Sequence, residues 1–285
     1  MKYLKITLII LVIGVSSFGC FKRDKYDNIN INVTSYPIEY ITNYLYGEYS
    51  KINMIYPSGV DVSNYELSPK QIKDYSKANM FIYNGLSKEK NIAAELLNKN
   101  KNLDIIDVSK GLEIENDATE LWLSPTNFLM IASNIKNTLK EYVSNQKMID
   151  KIDSNYDSLK IKISEFDVEL KTIAENANNN TLIVGNNTFN FLKSYGFNII
   201  SIVDKENSNT NMSQAKKLIQ NKTVSNIFVL SGYEETNDIK ELVKAGATIG
   251  EVPNLYTIND DQRKNKQDYL YFIKNMIENI KTEVY

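Results

Sequence analysis

The sequence predicts an α/β protein of two lobes, each a mostly parallel sheet flanked by helices, joined by one long backbone helix. In both halves, short apolar runs bounded by Gly, Pro, Ser or Asn alternate with amphipathic stretches, which is the pattern of strand–helix–strand units. Between the halves, Ile149, Ile152, Tyr156, Leu159, Ile163, Phe166, Leu170 and Ile173 recur every three or four positions. At ~1.5 Å per residue this seam predicts a helix of ~36 Å or more, enough to run the length of a small domain. A length of 285 residues with 42% hydrophobic content is also the size of two domains rather than one.

Met1 to Gly19 reads as a signal peptide. Lys2 and Lys5 give the positive start, and Ile6 to Val15 is an apolar run too short for an ordinary spanning helix. Ser17-Phe18-Gly19-Cys20 resembles a lipobox, in which Cys20 is lipidated and becomes the mature N-terminus. The alternative is plain secretion with an incidental cysteine. Residues 20–28 (CFKRDKYDN) then form a charged tether.

The N-terminal lobe is expected over 29–144. Its strands are "INVTSYP" (Ile31 to Pro37), "KINMIYP" (Lys51 to Pro57), "NMFIYNG" (Asn79 to Gly85) and "LDIIDVS" (Leu103 to Ser109). Ser68-Pro69 and Ser124-Pro125 each place a capping hydroxyl before a proline at the first helical position, a helix start signal. The connecting helix is assigned to 145–176. A C-terminal lobe over 177–285 follows, with strands "TLIV" (Thr181 to Val184), "NIISIV" (Asn198 to Val203), "NIFVL" (Asn226 to Leu230) and "ATIGEV" (Ala247 to Val252). A dimeric coiled coil is the competing reading of the central seam. It is disfavoured because the seam sits between two α/β halves that give it surfaces to pack on.

Composition removes most site chemistry. The chain has no histidine, and Cys20 is its only cysteine. Histidine triads, Cys–His nucleophiles, thiolate or imidazole zinc sites and haem attachment are therefore excluded, and any metal must be held by oxygen, which suits hard cations. Net charge is −2 without a basic run, so no nucleic-acid partner is expected. "KAGATIG" (Lys244 to Gly250) leads into a strand, the wrong context for a phosphate loop, and no marked carboxylate pair points to an enzyme. A ligand is expected in the cleft between the lobes, near the C-terminal ends of the strands.

The loops there carry a resemblance. "YPSGVDVSNYELSP" (Tyr56 to Pro69), "ELWLSPTNFLMIASNI" (Glu120 to Ile135), the long helix and "NNTFNFLKSYG" (Asn186 to Gly196) resemble, in order and spacing, the metal-binding solute-binding lipoproteins of zinc and manganese ABC importers. Pro125, Asn127, Ala132, Asn134 and Ile135 are the most specific piece, and "SYP" (Ser35 to Pro37) and "IYNG" (Ile82 to Gly85) agree. The resemblance implies a rigid two-lobe receptor with a metal in the cleft, held by histidines and carboxylates. It also implies an ABC permease as partner and a monomer on the outer face of the bacterial cytoplasmic membrane.

The usual histidine ligands are missing. Ser63 stands two residues before Tyr65-Glu66 where the family has a histidine, and Glu120 replaces the histidine before the tryptophan. Gapless counting puts Gly185 at the third position, or Asn186 with one deletion; Glu251 is the carboxylate nearest Val252-Pro253. "EIENDAT" (Glu113 to Thr119) stands where zinc members have a histidine-rich loop.

One reading is thus a transport receptor with one divalent ion held by Glu120, Ser63, Asn186 and Glu251, Glu120 being otherwise a solvated loop carboxylate. A second fills the cleft with a non-metal small molecule or a chelated metal. It would be lined by Ser35, Tyr36, Tyr65, Trp122, Asn187 and Tyr233, these aromatics being otherwise packing residues. A third is a surface adhesin or accessory lipoprotein with no solute.

Overall fold

The computed structural model describes residues 27–113 and 119–285. The signal peptide, Cys20, the tether to residue 26 and most of "EIENDAT" lie outside them. Among the described residues no helix is long and apolar enough to cross a membrane.

The N-terminal lobe runs β1 (Ile29–Val33), α1 (Tyr36–Tyr46), β2 (Ser50–Met54), α2 (Pro69–Tyr75), β3 (Met80–Tyr83), α3 (Glu89–Lys99), β4 (Asp104–Asp107) and α4 (Pro125–Tyr142). After α5 (Gln146–Asn176), the C-terminal lobe runs β5 (Thr181–Val184), β6 (Asn198–Ser201), α6 (Ser208–Gln220), β7 (Asn226–Leu230), α7 (Asn237–Lys244), β8 (Thr248–Val252), α8 (Asp260–Lys264) and α9 (Tyr269–Val284). The two sheets are wholly parallel and share one order, β2-β1-β3-β4 and β6-β5-β7-β8. In each, strand order reverses between the first and third strands, which opens a crevice at their C-terminal ends.

Local signals explain the element ends. Ser68 accepts from the Gln71 amide in a capping box with proline behind it, and Ser124 caps α4 in the same way without the reciprocal bond. The first expected strand is shorter than its sequence suggests: β1 stops at Val33, and Ser35-Tyr36-Pro37 opens α1, because proline fits the first helical turn but lacks the N–H a ladder requires.

Helix α5 has 31 residues, about 46 Å at ~1.5 Å each. Its buried stripe, Met148, Ile152, Leu159, Ile163, Leu170 and Ile173, belongs to a core cluster that also contains Ile31 and Val33 of one sheet and Leu182 and Val184 of the other. The seam is thus consumed within the chain, against α1, α4 and α9. Each such side chain contributes about 1.5–3 kcal/mol on burial, so one continuous core ties the lobes together. A smaller cluster lies on the outer face of each sheet, Phe81 and Leu96 in one and Ile227 and Leu242 in the other.

The C-terminal lobe also sends a strap back across the junction. After β8 the backbone carbonyl of Asn254 accepts from the Trp122 indole at 2.8 Å, and the carbonyl of Tyr256 accepts from the Tyr36 amide at 3.0 Å. Ser58 donates to the Ile258 carbonyl at 2.8 Å. Arg263 forks onto Glu39, with Nη2 to Oε2 at 2.7 Å, while its guanidinium stands over the Tyr36 ring.

Candidate functional site

The two strand-order crevices face a cleft of about 1060 Å³. Glu120, Ser63, Asn186, Glu251 and Tyr233 are on its wall, together with Glu89, Lys88, Thr119 and Tyr256. Four of the expected oxygen donors therefore share one cavity. Among the described residues, however, no three acidic, histidine or cysteine side chains are grouped closely enough to hold a metal ion.

Glu120 precedes the one-turn helix Leu121–Leu123, which fixes it beside the start of α4. Its Oε2 accepts the Thr188 hydroxyl at 2.8 Å from the opposite lobe, and its Oε1 accepts Thr119 at 3.2 Å. The Tyr256 hydroxyl stands 2.7 Å from that of Thr119. Burial above all, then the neighbouring charge of Glu120 and, more weakly, that of Glu89, keep the Tyr256 phenol protonated far above its usual range. The solvated-loop reading of Glu120 is replaced by a half-buried carboxylate spanning the cleft.

The other expected donors are engaged differently. Ser63 is exposed, and both its hydroxyl and its amide donate to Asp61. Its carbonyl, with that of Val62, accepts the Lys88 ammonium at 2.7 and 2.6 Å. This loop therefore presents a fixed positive charge. Asn186 caps the turn after β5 by accepting from the Thr188 amide. Glu251 is exposed on β8. At Gly185, the third position by gapless counting, an added Cβ would lie 2.9 Å from Val229 Cγ1, so a side chain would not fit there without movement.

Most of the expected organic-cargo wall is elsewhere. Trp122 is 1% exposed, edge-on to Tyr256 at 5.0 Å, and its carbonyl accepts from Tyr269. It is a junction core residue, the packing reading of the two. Tyr36 and Ser35 are buried, and Ser35 Oγ has no hydrogen-bond partner. Tyr65 packs on Tyr56 and accepts from Gln71, and Asn187 accepts from Ser201. Only Tyr233 of the six is on the cleft wall.

Sequence reasoning missed Glu89, Thr188 and Tyr256. Glu89 opens α3, six residues after β3, and is 1% exposed. Its Oε2 accepts from the Thr34 hydroxyl, just past β1, and from the Asn84 amide, just past β3, at 2.9 Å for the latter. Burial pushes its carboxyl up to about 7 against these two hydrogen bonds. An acid in the first turn of the helix that follows a strand was the available signal.

A two-lobe α/β fold with a polar inter-lobe cleft at paired strand-order reversals defines the class of solute-binding proteins. The chain belongs to the family described as "Zinc-uptake complex component A periplasmic", whose model matches residues 31–283. It is 23% identical to the high-affinity zinc uptake system protein ZnuA of Bacillus subtilis, over 96% of this chain and 93% of that one. It is 27% identical to the manganese ABC transporter substrate-binding lipoprotein PsaA of Streptococcus pneumoniae, over 63% of each. The crystal structure of the metal-dependent lipoprotein YcdH of Bacillus subtilis superposes with TM-score 0.74 at 18% identity, covering 90% of this chain and 99% of that one. The protein is a solute-binding component of the metal-importer type, and its site lacks histidine.

Proposed function

We propose that this receptor is anchored by lipid on Cys20 to the outer face of the bacterial cytoplasmic membrane and works as a monomer. In this reading it delivers one divalent cation to an ABC permease. The observation that carries the cation is the Glu120 carboxylate, set in the cleft by a hydroxyl from each lobe, so that a cation on it is felt by both. Oxygen-only donors favour a hard ion such as manganese, calcium or magnesium over zinc, which prefers imidazole and thiolate. With few carboxylates and ample volume, the cation keeps part of its water shell, as hard ions do in open sites. The names of the relatives, zinc for one and manganese for another, support a metal cargo.

The test is elemental analysis of the chain from Phe21 onward, followed by thermal melts against manganese, calcium, magnesium, iron and zinc with chelator controls. Selective stabilisation by a hard divalent ion is expected. No response to any of them would overturn the metal reading. Cys20→Ala should release the protein from membranes, and continued retention would point to another anchor.

A further inference from the structure

Glu89 has no assigned role, and its setting is unusual for a structural acid. It lies at the N-terminal lobe's strand-order reversal, bridging the ends of β1 and β3 through Thr34 and Asn84, and it lines the cleft. The hydrogen bonds it receives fall on one oxygen. Among the described residues no lysine or arginine forms an ion pair with it, and the ammonium of the adjacent Lys88 is bound to the Val62 and Ser63 carbonyls. Tyr56, whose phenol is also raised by burial and by Glu89, has a buried hydroxyl without a hydrogen-bond partner. Asn84 links the two acids: its backbone amide donates to Glu89, and its side-chain amide donates to the carbonyl of Thr119, the residue before Glu120, at 3.5 Å.

Ionising a buried carboxyl is costly unless a cation accompanies it. We propose that Glu89 is the second carboxylate of the cargo site, and that the divalent ion is its missing counter-charge. The inference rests on the metal reading above. Two acids in the cleft, one from the crevice and one from the lobe junction, give a charge count that matches a divalent ion, with Thr119 and Asn186 on the same wall supplying neutral oxygen. The charges that would modulate Glu89 are Lys88, which favours its ionised form, and Asp107, which opposes it.

The test compares the full mature chain with Glu89→Gln, Glu89→Asp and Glu120→Gln by thermal melts and calorimetric titration with manganese, then calcium, at about pH 8. Glu89→Gln should bind at least ~10-fold more weakly, while its metal-free midpoint stays equal to or above that of the parent, because the amide removes a buried charge. Glu89→Asp should bind with intermediate affinity. A lower metal-free midpoint in Glu89→Gln would mark a structural acid and overturn the proposal. So would unchanged metal affinity in Glu89→Gln alongside loss in Glu120→Gln, which leaves the metal reading standing. A parent that binds no divalent ion would remove both.

Discussion

Thr188, on the turn after β5, donates its hydroxyl to Glu120 on the other lobe at 2.8 Å. The bond makes one carboxylate both a cleft wall and a lobe-to-lobe contact. Glu120→Gln should leave metal-free stability within ~1 kcal/mol, since the amide still accepts from Thr188. A ligand at 100 times its dissociation constant adds ~2.7 kcal/mol, several degrees in a chain of this size, and the variant should lose that shift. Parallel melts of variant and parent with manganese check it; an undiminished shift would remove Glu120 from the site.

Glu89 predicts a pH dependence of opposite sense to that of a salt-bridged acid. Its carboxyl is raised from 4.5 to about 7 in the folded chain, so the folded state holds its proton over a range where the unfolded chain has released it. That contribution is fully present below about pH 4.5 and is lost as pH rises through about 7, a difference on the order of 3 kcal/mol. Urea midpoints across this window should fall less steeply for Glu89→Gln than for the parent. Identical slopes would contradict the burial argument.

Trp122 is the keystone of the junction, with its indole on the Asn254 carbonyl and its own carbonyl on Tyr269. Trp122→Phe should cost ~2–3 kcal/mol, from lost volume and an orphaned carbonyl. Chemical denaturation followed by circular dichroism measures it. A cost below ~0.5 kcal/mol would mean that the junction repacks freely.

Gly85 sits under Asp107, whose carboxylate accepts from its amide at 2.9 Å. A Cβ at this glycine would lie 2.0 Å from Asp107 Oδ2. Gly85→Ala should destabilise by about 3 kcal/mol, and adding Asp107→Ala should recover part of it, a coupling of ~1–3 kcal/mol in a double-mutant cycle. Simple additivity would show that the clash is relieved elsewhere.

Much of the fold was legible because its signals are local. The strands Thr181–Val184 and Asn226–Leu230 match their apolar runs residue for residue, and both serine–proline caps form where expected. Glu120 was legible from its place before a gapless motif. Its bond to Thr188 was not, because it joins residues 68 apart in sequence, and that of Glu89 to Thr34 joins residues 55 apart. Such pairs depend on which strands become neighbours, information that no window of the chain carries. The aromatic cleft wall failed for a related reason: Tyr36 and Trp122 stand near loops in sequence but are covered by the strap in space.

The strap also sets a timetable. Ser58 meets Ile258 across 200 positions, and Glu39 meets Arg263 across 224. During synthesis the first lobe is therefore complete in sequence long before the segment that covers Tyr36 and Trp122 exists. Contacts of such separation form late and slowly. A nascent first lobe would leave the faces of Trp122 and Tyr36 without their final partners, so arrested chains ending before Asn254 should be captured by holdase chaperones, whereas the full chain, which adds the strap and Tyr269 of α9, should escape them.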